Sequence, residues 1–92
     1  MTTDLSFLST KKALVSHETA KFYKDGDIYT KYETYFITQK HGMSTREISL
    51  CRDSIDKKWY GDMTAFGEYW TLDQEDIEYI LKFLEAFGSE HF

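Results

Sequence analysis

Asp25-Gly26, followed by Ile28-Tyr29-Thr30-Lys31-Tyr32-Glu33-Thr34-Tyr35-Phe36-Ile37-Thr38-Gln39, decides the fold class. Asp-Gly is a strong signal for a two-residue hairpin turn, because both central positions of that turn need positive φ. The run after it is rich in threonine and aromatic residues, which suit a pleated, half-buried surface. It reads as a strand over Ile28–Gln39, with Ile28, Tyr32 and Phe36 on one face among threonines. Tyr29, Tyr35 and Ile37 lie on the other face with Lys31 and Glu33, and are expected to be exposed.

Working outward, Lys40-His41-Gly42 reads as a second turn and Thr45–Arg52 as a returning strand, with Ile48 and Leu50 on one face. The unit is an antiparallel meander. Before Asp25-Gly26, the run from Ala13 to Tyr23 suits the hairpin's first strand, with a helix over Thr10–Tyr23 as the competing reading. After Arg52, the residues Asp53–Asp62 read as a connector with one helical turn at Ser54–Lys58, and Thr64–Trp70 as a short further strand. Trp59 and Tyr60 are expected to pack on the core while Lys57 and Lys58 stay in water.

The carboxyl-terminal stretch is helical. Thr71 and Asp73 are both candidate N-caps, and Thr71-x-x-Gln74 fits a capping box. Ile77, Ile80, Leu81, Leu84 and Phe87 recur at helical spacing as a buried stripe, with Leu81 expected to be fully buried. Gly88 stands where a left-handed C-cap residue belongs. The expected architecture is therefore α+β: one domain over residues 1–92, an antiparallel sheet of three to four strands packed by a C-terminal helix.

Size and composition fit this picture. A chain of 92 residues buries roughly 60–65% of its unfolded surface, so the 7 Phe, 7 Tyr and 2 Trp carry much of the core. No apolar run approaches the ~20 residues that span a bilayer. Met1-Thr2-Thr3-Asp4 lacks the basic and apolar segments of a secretion signal. Cys51 is the single cysteine, which excludes an internal disulfide and argues against a thiolate zinc site. The expected location is the cytoplasm.

Motifs for catalysis are absent: no phosphate loop, no GxGxxG, no HExxH, no GxSxG. His17, His41 and His91 are far apart, with no partner at metal-ligand spacing. The expectation is a non-enzyme without cofactor or metal. A Cys51 nucleophile with a distant histidine is the remaining catalytic alternative. Lys57-Lys58-Trp59-Tyr60 offers too few cations for affinity to nucleic acid, since binding scales with the phosphates neutralised.

Charge is the informative feature. Residues 1–58 carry 8 acids and 10 bases, a net +2, whereas residues 59–92 carry 8 acids and Lys82, a net −7. The acids are Asp62, Glu68, Asp73, Glu75, Asp76, Glu78, Glu85 and Glu90. Asp73, Glu75 and Asp76 fall in the first helical turn, where each stabilises the positive end of the helix dipole by about 0.3–1 kcal/mol. The other five have no local structural reason in the sequence, and all eight acids together form the candidate partner-binding surface. An acidic row on a rigid helix can stand in for phosphates. Residues 73–87 span ~22 Å as a helix and carry a net −4, against ~13 charges for duplex DNA of that length. One helix is too dilute in charge, so mimicry of DNA calls for neighbouring acids and a homodimer.

The opening Met1-Thr2-Thr3-Asp4-Leu5-Ser6-Phe7, the lack of proline and the ending Trp70-Thr71-Leu72-Asp73-Gln74-Glu75-Asp76 give the whole chain a resemblance. It resembles the Arn family, anti-restriction proteins of T-even bacteriophages. The resemblance implies a DNA-mimic inhibitor that blocks a host restriction endonuclease, McrBC, in the infected bacterial cytoplasm, with no direct nucleic-acid or membrane binding. The contrasting expectation is a protein-interaction module working through the aromatic sheet face of Tyr29, Tyr35 and Ile37.

Overall fold

The computed structural model describes residues 4–53 and 57–91. Five strands, β1 (Leu14–Lys24), β2 (Asp27–His41), β3 (Ser44–Asp53), β4 (Trp59–Ala65) and β5 (Glu68–Thr71), precede one helix, α1 (Gln74–His91). The strands form one antiparallel sheet in chain order. The α+β meander is as expected, but it has five strands rather than three to four. Leu14–Lys24 is a strand, not the competing helix.

The extra strand comes from Thr64–Trp70, which is not one strand but the turn of a hairpin. Phe66 (φ +55°) and Gly67 (φ +73°) both take positive φ, the pattern of a type I′ turn. The expected connector Asp53–Asp62 accordingly contains the start of β4. Asp25 (φ +53°) and Gly26 (φ +83°) form the same kind of turn between β1 and β2. The helical turn expected at Ser54–Lys58 falls mostly outside the described residues; Lys57 N donates to the Asp53 carbonyl at 2.9 Å.

α1 packs on the sheet face that carries Ile37, Ile48, Leu50, Met63 and Ala65, all buried. Register explains this choice of face. Ile37 pairs with Ile48, and Ile48 with Met63, so one apolar row crosses three strands. Leu50 pairs with Gly61, where a Cβ would stand 2.6 Å from Leu50 Cδ2 and 3.1 Å from Leu72 Cδ1. Glycine there lets Leu72 close over the sheet. The expected exposure of β2 is reversed at two of its three residues, the side chain of Tyr29 lying outside the described set: Ile37 is 1% exposed and Tyr35 packs against the core, while Tyr32 and Phe36 face away from the helix, partly exposed. Trp59 packs on the core as expected, but Tyr60, its neighbour on the opposite face, is exposed.

Of the two expected candidate caps, Thr71 and Asp73, the helix uses Asp73, and it differs from expectation in its box partner, its buried stripe and its end. Asp73 is the cap: its Oδ1 accepts from Asp76 N at 2.9 Å, and Asp76 Oδ2 lies 3.5 Å from Asp73 N, a reciprocal box of two aspartates. Ile80, at 0% exposure, is the centre of the buried stripe, which includes Phe83, and Leu81 sits at its half-buried margin. Gly88 does not end the helix, which continues to His91. Glycine inside a helix costs about 1 kcal/mol. The last turn is also tied to the amino-terminal segment, where the Thr10 hydroxyl donates to the Glu90 carboxylate.

The amino-terminal segment is clipped to the sheet by one buried amide. Gln39 Nε2 donates to the Phe7 carbonyl at 2.6 Å and Oε1 accepts from Ser9 N at 2.9 Å. Leu5 and Ala13 complete the core from this segment.

Candidate functional site

The eight acids do not share one surface. Glu75, Glu78 and Glu85 lie exposed along the outer side of α1, interrupted by Lys82. Glu90 is exposed at the end of the same helix, held by Thr10. Glu68 is exposed at the start of β5, the sheet's edge strand. Asp73 is exposed but committed to the cap, and Asp76 is only 3% exposed. Asp62 is half-buried on the sheet face opposite the helix, where it accepts from the Tyr69 hydroxyl at 3.3 Å. Of the five acids without a local role in sequence, Asp62 and Glu90 therefore have one in the structure. Glu68, Glu78 and Glu85 have no hydrogen bond or ion pair among the described residues.

Glu85 borders a groove between the second half of α1 and the sheet, about 410 Å³ in volume. Its walls are Val15, Tyr35, Trp59, Leu81, Leu84 and Phe87, and its polar groups are Glu33, Arg52 and Glu85. The strand register builds the polar end. Glu33 on β2 is the direct cross-strand partner of Arg52 on β3. Arg52 Nη2 lies 2.5 Å from Glu33 Oε2, and His17 Nε2 lies 3.0 Å from Oε1. Arg52 also stacks over Trp59, with Cζ 4.8 Å from the ring centroid, and the His17 ring stacks on Tyr35 at 4.3 Å. Both oxygens of Glu33 are thus engaged, and the guanidinium is fixed from two sides.

Burial pushes the Glu33 carboxyl up, but the hydrogen bonds and charges of Arg52 and His17 outweigh it and hold the group below the usual glutamate range. Burial and the Glu33 carboxylate push the Tyr35 phenol up. For Glu33 the linkage sign is that of a depressed acid: its contribution to stability is present above the usual glutamate range and lost as pH falls through the lowered value. The stability gap between the parent and Glu33→Gln is therefore expected to be widest near neutral pH and to narrow on acidification, read by denaturant unfolding. A gap independent of pH contradicts this assignment.

Catalytic geometry is not assembled between Cys51 and His17. His17 is on the helix face of the sheet, next to Tyr35, whereas Cys51 alternates with buried Leu50 and points to the other face. The side chains of His41 and His91 are outside the described set. Among the described residues no group of three or more His, Cys, Asp or Glu side chains could hold a metal ion. Among the described residues no helix is long and apolar enough to cross a membrane.

The sheet face away from α1 has features the sequence reading passed over. Tyr32, Phe36, Tyr60 and Tyr69 are exposed there. Glu18 and Glu47 are exposed on the same face, and Glu47 and Asp62 line a groove of about 230 Å³ with Phe36, Thr38, Ser49 and Thr64. No family model, no curated protein and no solved structure matches this chain.

Proposed function

We propose that this chain is a non-catalytic inhibitor that occupies the DNA-recognising surface of a host nuclease, presenting the carboxylates of α1 where that enzyme would meet phosphates. The observation that carries the reading is the outer side of α1, where Glu75, Glu78 and Glu85 are exposed. Glu78 and Glu85 have no internal partner among the described residues. The groove beside Glu85 gives a lysine or arginine of the target a place for its stem against Trp59, Leu81 and Leu84, with the cationic head at the carboxylate.

The resemblance to phage anti-restriction proteins makes an McrBC-like restriction endonuclease in the bacterial cytoplasm the proposed target. With Asp73 and Asp76 engaged in the cap, α1 offers a partner fewer carboxylates than its net charge implies, and that charge is already below that of duplex DNA. A homodimer that joins two acidic helices is therefore part of the proposal. A second reading has its own observation: the exposed tyrosines and Phe36 on the open sheet face suit a partner held by aromatic contacts instead.

Competition separates them. Purified nuclease saturated with its DNA is titrated with the chain, and DNA release is followed by fluorescence anisotropy. The mimic reading expects DNA and the chain to exclude one another. A ternary complex of nuclease, DNA and chain favours the open-face reading.

A further inference from the structure

The end of the sheet formed by the β2–β3 and β4–β5 turns carries a cation that the proposed function leaves unused. Arg46, on β3, lies with its Cζ 4.5 Å from the Phe7 ring centroid and 5.6 Å from that of Phe66. Its Nε is buried and has no hydrogen-bond acceptor among the described residues. Neither Glu47, which points to the opposite face, nor Glu68, beside the turn, forms an ion pair with it. The buried Nε is out of a partner's reach, but a planar guanidinium held over aromatic rings keeps its outer Nη donors for an in-plane acceptor, and a carboxylate matches that fork with two oxygens.

The surroundings are those of an interface. Phe66 is 67% exposed although its φ of +55° is an unfavourable backbone conformation for a bulky residue. The equivalent position of the β1–β2 turn is Asp25, a residue type that suits this conformation. An exposed ring held at a strained position is explained by what the ring does, not by the turn. Met43, at the tip of the adjacent β2–β3 turn, is fully exposed. Lys12, Leu14 and Lys40 line a groove of about 500 Å³ on the other face of the same sheet end. Arginine, aromatic and methionine side chains together are the composition enriched at protein interfaces.

We infer that Arg46, Phe66 and Met43 form a docking site for an acidic, apolar-bearing peptide segment of a partner protein, with a partner carboxylate bound to the Arg46 guanidinium. This site is at a different place from the acidic side of α1 and has the opposite charge preference.

The probe is a short synthetic peptide alternating aspartate and leucine, added to ¹⁵N-labelled protein. Expected is a saturable shift of the Arg46 Nε–Hε resonance, with binding about tenfold weaker in both Arg46→Gln and Phe66→Gly. Phe66→Gly removes the strained residue, so its thermal midpoint should hold or rise, which keeps loss of binding separate from loss of folding. The inference is overturned if that resonance does not respond, if a peptide with asparagine in place of aspartate binds equally, or if Phe66→Gly binds as well as the parent. It is also overturned if phosphatidylserine vesicles bind through Phe66 and Met43 while the peptide does not, which makes the surface a membrane contact.

Discussion

Ile80→Ala is expected to remove about 2–5 kcal/mol of stability, enough to leave a domain of this size marginally folded. Ile80 is 0% exposed at the centre of the α1 stripe and packs in one cluster with Ile37, Ile48, Leu50 and Met63. With β-sheet backbone on one side and its own helix on the other, the site has little freedom to collapse onto the cavity. Leu81→Ala, at the half-buried margin next to the Trp59 groove, is expected to cost clearly less. Denaturant unfolding of the two variants checks the rotation of the helix about its axis. A Leu81→Ala cost equal to or above that of Ile80→Ala contradicts the packing described.

Much of the sheet was legible because turns fix register. The turn expected at Lys40-His41-Gly42 lies at Gly42-Met43 instead, with Lys40 and His41 in β2; this two-residue loop pairs His41 with Ser44 and, counting back, Glu33 with Arg52. The ion pair at the polar end of the groove follows from that count, although charge alone did not single it out. His17 could not be placed the same way. Counting from Asp25-Gly26 sets it opposite Thr34, on the open face. The register shift between Ala20 and Lys21 moves it opposite Tyr35 instead, within reach of Glu33. A bulge of this kind is one unpaired residue with no composition of its own to mark it.

Which face of β2 the helix would cover was not legible from β2 itself, because Tyr32 and Phe36 match Tyr35 and Ile37 in apolar character. The apolar row from Ile37 through Ile48 to Met63 decides it, and its first pair is set by the turn at Gly42-Met43 rather than at Lys40-His41-Gly42. β4 and β5 were obscured because Phe66-Gly67 carries an aromatic where a turn normally carries Asn or Asp. The acids were legible as a charge bias but not as a surface. Capping took Asp73 and Asp76, and Asp62 alternates onto the far side of the sheet, a consequence of the same unrecognised strand.

What remains for the proposed inhibitor is a small set of carboxylates with no internal task, and their removal is the second large expected effect. Glu68, Glu78 and Glu85 are replaced together by glutamine, which keeps size and removes charge. All three are exposed and outside the cap, so folding should change little. Loss of three charges that steer association is expected to weaken binding to the nuclease by about tenfold to a hundredfold, mostly through slower association. Lys82→Gln, on the same helix side, is expected to act in the opposite direction and strengthen binding.

The most direct measurement is the association rate of parent and triple variant with the nuclease across a salt series. The account predicts a steep fall of the parent's rate as salt rises, and a slower rate with a shallower salt dependence for the folded triple variant. Equal rates and equal salt dependence in the two proteins would contradict it, leaving these carboxylates as a solvated helix side and the open aromatic sheet face as the binding surface.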